Sequence, residues 1–120
     1  MPIRAHAKTV VTLLSERAET VSVAESVTAG GLGHAITSAP GSSHVFLGGI
    51  IAYSNEVKEN ILGVDANLIR DFSVVSEEVA NSMADAVRQK FGTTWGIATT
   101  GIAGPGDYLG IPEGTVWVAI

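Results

Sequence analysis

The chain has 120 residues, enough for a single hydrophobic core, and its 46% hydrophobic and 16% charged content excludes a disordered or solvated coil. The net charge of -5, with seven basic residues scattered along the chain, excludes the electrostatic footprint of a nucleic-acid binder. With no cysteine there are no disulfides, thiolate nucleophiles or cysteine-ligated metals, and with no apolar stretch near the roughly 20 residues of a membrane span the chain reads as cytoplasmic.

Residues 3–18 place Ala7, Val10, Val11 and Leu14 at helical spacing and predict an amphipathic first helix. Val21, Val23 and Ala24 form a short apolar run that ends at Glu25-Ser26, and Thr28-Ala29-Gly30-Gly31 opens a segment through Leu32, Ala35 and Ile36, which predicts strand, tight turn and helix. Pro40-Gly41-Ser42-Ser43 is turn chemistry ahead of residues 45–52, an apolar run around Gly48-Gly49 that predicts a second, buried strand. Ser54 or Asn55 caps a short helix that carries Lys58 in its first turn and stops at Gly63. Residues 65–74 read as loop. Ser76 caps a helix with Glu77 and Glu78 in its first turn and Arg88 and Lys90 in its last, charges that suit the helix dipole. Residues 95–99 read as a strand, 101–113 as a glycine- and proline-rich loop, and 115–120 as a final strand. This alternation predicts one α/β domain over residues 1–120 with helices on the faces of a sheet.

In such sheets ligands gather at the carboxyl ends of the strands. Three segments fall there. Glu25 to Gly31 offers a serine beside small residues, and so a nucleophile near free amides. Tyr53-Ser54-Asn55-Glu56-Val57-Lys58 offers a phenol and an amine within a turn. Thr99-Thr100 followed by Gly101 to Gly106 offers amides for an anion. Taken singly, Ser26 also reads as a helix cap, Lys58 as a solvated lysine, Tyr53 as an edge residue and the glycines as packing positions. His6, His34 and His44 have no ligand spacing, so no metal site is expected. No serine has a lysine three residues later, which excludes the Ser-x-x-Lys arrangement on one helix.

The ordered set is more specific than any member of it. Ala24-Glu25-Ser26-Val27-Thr28-Ala29-Gly30-Gly31, Tyr53 to Lys58, Leu62-Gly63-Val64, Val75-Ser76, Gly101-Ile102-Ala103-Gly104-Pro105-Gly106 and Gly114-Thr115-Val116-Trp117 together resemble the CinA C-terminal domain family. The resemblance implies a three-layer α/β/α sandwich with a mixed, mostly parallel sheet, and a homo-oligomer. It also implies deamidation of nicotinamide mononucleotide to nicotinate mononucleotide and ammonia, with a pyridine nucleotide as partner and no cofactor. The alternative within the same fold is a non-catalytic domain that binds a nucleotide or a protein in the competence and DNA-damage response.

Carried over by the resemblance, the catalytic residues are Ser26, Lys58 and Tyr53. A serine hydroxyl is a weak nucleophile, so a neutral lysine has to take its proton, with Tyr53 as relay or orienting group. Substrate-binding positions expected from the same loops are Glu25, Thr28, Ala29, Gly30, Thr100, Gly101 and Gly104, with amides near Thr28 and Ala29 as the oxyanion hole and Ser42 and Ser43 as phosphate caps. The chain departs from the family pattern at Val27 and Ala29, at Gly48 where relatives have an arginine, at Ser73 where they have glycine, and in the lysine-free stretch 107–113. Relatives also continue beyond the Gly-Thr-Val-Trp strand with a further strand, a basic segment and a closing helix, so the expectation is of a domain lacking that segment.

Overall fold

A computed structural model of the chain describes residues 3–120. Helix α1 (Ile3–Arg17) turns Ala7, Val11 and Leu14 inward, whereas Val10, at the margin of the same stripe, is 40% exposed. Strand β1 (Val21–Glu25) is buried throughout, and α2 (Gly31–Thr37) begins after Gly30 in a left-handed conformation with no side-chain cap from that residue. Strand β2 (Phe46–Ile51) leads to Ser54, whose side chain accepts from the Val57 amide and starts α3 (Asn55–Val57). That helix runs on as a π-helical turn, Lys58–Leu62, and ends at left-handed Gly63. The stretch 65–74, expected as loop, contains α4 (Ala66–Phe72), capped by Asp65 accepting from the Asn67 amide; Leu68 and Ile69 pack against the core only part-buried, and Phe72, one helical turn on, stays exposed. Helix α5 (Glu77–Phe91) has the expected cap at Ser76 and ends at left-handed Gly92. Strand β3 (Trp95–Gly101) extends two residues past its expected end, and β4 (Val116–Ala119) closes the order.

The sheet runs β2-β1-β3-β4, parallel except for β4, which lies antiparallel to β3. Because side chains alternate along a strand, Val21 and Val23 join Ala7, Val11, Leu14 and Ile36 on one face. Ala24 and Ala98 join Val79, Met83, Ala84 and Val87 of α5 on the other. Two helical layers thus enclose the sheet, the three-layer arrangement expected. Helix α5 comes so close to β3 that a Cβ on Gly96 would collide with the Ala84 carbonyl oxygen.

Strand β2 is an edge, contrary to the expectation of a buried strand: Leu47 is 50% and Ile51 56% exposed. The register slips by one residue between Phe46 and Gly48, and Gly48 takes a φ of 149°, a bulge that glycine accommodates. The other edge, β4, exposes Val116, Trp117 and Val118. No described helix is long and apolar enough to cross a membrane.

Candidate active site

Strands β1, β2 and β3 are parallel, so their carboxyl ends emerge on one side of the sheet. Ser26 follows β1 directly, and its amide is held by the Thr99 carbonyl of β3 at 3.0 Å. The chain after β2 turns through α3 and brings Lys58 back beneath the serine. Lys58 is 1% exposed, and its Nζ donates to Ser26 Oγ at 2.9 Å and to the Tyr53 carbonyl at 3.1 Å. No carboxylate pairs with it among the described residues. Burial alone disfavours the ammonium form and pulls its pKa from the ordinary 10.5 to about 8. About one molecule in ten therefore carries a neutral amine at pH 7. In that form the lone pair accepts the serine hydroxyl proton across the same 2.9 Å contact. Tyr53 takes part through its carbonyl, while its side chain is 64% exposed at the cleft mouth.

The segment after Ser26 departs from the expected substrate contacts. Glu25, 1% exposed, spends both carboxylate oxygens inside the protein. Oε1 accepts from the Thr28 hydroxyl and from the amides of Gly30 (3.2 Å) and Leu32 (2.8 Å), and Oε2 accepts from the Gly33 amide at 2.9 Å. Burial would raise this carboxyl, but the Thr28 hydroxyl and the Gly33, Leu32 and Gly30 amides outweigh it and hold its pKa below the ordinary value. Glu25 thus caps α2 from the preceding strand, which explains a helix start whose own N-cap is glycine. The Ala29 amide is spent on the Ser26 carbonyl at 3.0 Å and the Gly30 amide on Glu25. Of the amides expected as oxyanion donors, that of Thr28 has no partner among the described residues, and the Val27 amide is likewise unpartnered.

A cleft of about 230 Å³ opens over Ser26 and Lys58, walled by Val27, Val74, Val75, Thr100 and Ile102, with the Tyr53 and Tyr108 rings at its rim. Gly101 lines it, and the Thr100 hydroxyl donates to the Val74 carbonyl at 2.9 Å. Gly104 does not; a Cβ there would meet Glu113 Oε2, the oxygen that accepts from the Gly106 amide, so this glycine lets the acid tie down the loop. Ser42 and Ser43 are placed at the wrong end of the sheet for phosphate capping. They precede β2, whose six residues span about 20 Å before the chain reaches Tyr53. Sequence reasoning missed Val27, Val74 and Tyr108 as lining residues and Thr99 as a holder of Ser26; only the Thr99-Thr100 pair at a strand end was a signal. No cluster of three or more metal-ligating side chains occurs among the described residues.

Comparison with known proteins places the fold and the family. A "CinA-like protein" of Synechocystis sp. is 54% identical over 115 residues, 95% of this chain and 28% of the relative. One from Gloeothece citriformis is 54% identical over 108 residues, 89% of this chain and 26% of the relative. The chain thus spans about a quarter of the length of these relatives. Among solved structures, the competence damage-inducible protein A (ComA) of Klebsiella pneumoniae superposes with a TM-score of 0.95 at 30% identity, over 98% of this chain and 74% of that one. The competence/damage inducible protein CihA of Agrobacterium tumefaciens does so with a TM-score of 0.91 at 35% identity, over 95% and 70%. The profile of the CinA C-terminal domain matches residues 3–120, and the chain belongs to that family.

Proposed function

We propose that the cleft is the active site of an amidohydrolase that deamidates nicotinamide mononucleotide, with Ser26 as nucleophile and Lys58 as base. The observation that carries this reading is a fully buried lysine, unpaired with any acid among the described residues, within hydrogen-bond reach of a serine at a strand end. The apolar walls and two tyrosine rings suit a flat aromatic carboxamide. Ser26 Oγ attacks the carboxamide carbon as Lys58 takes its proton, and the unpartnered amides of Val27 and Thr28 are the candidate donors for the oxyanion. Collapse breaks the C–N bond, Lys58 returns the proton to nitrogen, and ammonia leaves. Water then adds to the acyl-enzyme with Lys58 taking its proton, the ester bond breaks, and Ser26 is reprotonated as the carboxylate product departs.

The test is ammonia release from nicotinamide mononucleotide by the purified chain, in the presence of a chelator, beside folded Ser26→Ala. We expect turnover in the parent and a loss of at least about 10³-fold in the variant. A folded parent that binds the nucleotide without releasing ammonia would favour the non-catalytic reading.

A further inference from the structure

We infer that Glu25 is the positioning residue of the nucleophile: acting through Thr28 and Thr99, its carboxylate fixes the backbone of Ser26 at the end of β1 and so sets where Oγ meets Lys58. The inference rests on the reading of Ser26 as a nucleophile, and it follows from counting protons. A carboxylate has none to give, so in its contact with Thr28 the hydroxyl donates. That hydroxyl has a single proton, so in the 2.7 Å contact between Thr28 Oγ1 and Thr99 Oγ1 the Thr99 hydroxyl must be the donor. Thr99 Oγ1 is then an acceptor for the Ser26 amide, which reaches it at 3.4 Å while also donating to the Thr99 carbonyl at 3.0 Å. One buried charge thereby orients every bond in the chain from Glu25 to Ser26.

The same carboxylate holds the amides of Gly30, Leu32 and Gly33, so the turn between Ser26 and α2 is anchored at both ends. Ala29 at a φ of 47° and Gly30 at 103° stand between these anchors, in a conformation that the local sequence alone does not favour. Glu25 does not line the cleft, so its effect on chemistry is exerted through these partners. Glutamine at this site would replace one acceptor oxygen by a donor facing donors already in place.

The test is the rate at which a fluorophosphonate modifies Ser26, followed by mass spectrometry from pH 6 to 10 in the intact chain. The Ser26 Oγ–P bond forms, the P–F bond breaks, fluoride leaves and Lys58 takes the hydroxyl proton, so no amide substrate is needed. In Glu25→Gln and in Thr28→Val we expect modification slowed between about ten- and a hundredfold, with the midpoint of the pH profile still near that of the parent because Lys58 is untouched. Thr28→Ser, which keeps the hydroxyl, should restore the parent rate. Rates within twofold of the parent in both Glu25→Gln and Thr28→Val overturn the inference, as does a Thr28→Ser variant as slow as Thr28→Val. Thr28 is exposed, so its two variants decide the matter if Glu25→Gln does not fold. A parent that is never modified at Ser26 removes the nucleophile itself, and the positioning role with it.

Discussion

Lys58→Met is expected to lower kcat for carboxamide hydrolysis by about 10² to 10⁴, the range for losing a positioned general base, while abolishing one component of the pH dependence of stability. In the parent, the folded-state pKa of about 8 lies below the ordinary 10.5. The folded protein therefore binds fewer protons than the unfolded chain between those values, and stability rises with pH across that window. Below about pH 8 both states are protonated and the cost of burying the ammonium is fully present; at 1.36 kcal/mol per pKa unit it amounts to about 3 kcal/mol. Methionine fills similar space without a charge, so Lys58→Met should show no such rise. Urea denaturation at pH 7 and pH 10 measures the difference. The parent's kcat/KM should climb about tenfold per unit up to about pH 8 and then level off. Equal pH slopes of stability in parent and variant would mean that the lysine is not desolvated as its 1% exposure indicates.

Met83→Ala should cost about 2–5 kcal/mol of folding stability, a large share of the roughly 5–15 kcal/mol typical of a domain. Met83 is fully buried at the centre of the cluster between α5 and the sheet, and α5 touches all four strands, so no neighbour can close the gap without moving the helix. The urea midpoint should fall with little change in slope. Activity per folded molecule should stay near the parent's, because Met83 does not line the cleft. A loss under about 1 kcal/mol would show that α5 settles into the space.

The local signals at Ser76 and Gly63 were legible because caps are decided by a few neighbouring residues. Strand β2 was misread as buried because its apolar run resembles a central parallel strand, and edge status depends on strand order, which no local pattern encodes. Helix α4 was missed because it is only seven residues long: Leu68, Ile69 and Phe72 make a stripe of barely one turn after the capping Asp65, too short to stand out from a loop. At the candidate site, the resemblance drew attention to Ser26 and Lys58, and the fold brings them within 2.9 Å. Glu25 was given to substrate because sequence cannot say which way a strand-end carboxylate points. Alternation along β1 sends it to the α2 side and Ser26 to the other. Ser42 and Ser43 were misplaced for a related reason: turn chemistry marks a loop without saying at which end of the sheet it lies.

The exposed margin formed by β3 and β4 carries both tryptophans of the chain, Trp95 at 41% and Trp117 at 40% exposure. They look out from opposite faces, Trp95 into the apolar groove beside α1 and Trp117 directly opposite Thr100 on the α5 side. Neither lines the cleft over Ser26. The tryptophan emission of the molecule is therefore a reporter of this margin. A polypeptide that covers β4 removes water from Trp117 and is expected to shift this emission toward the blue, so coverage of the margin can be followed optically without a label.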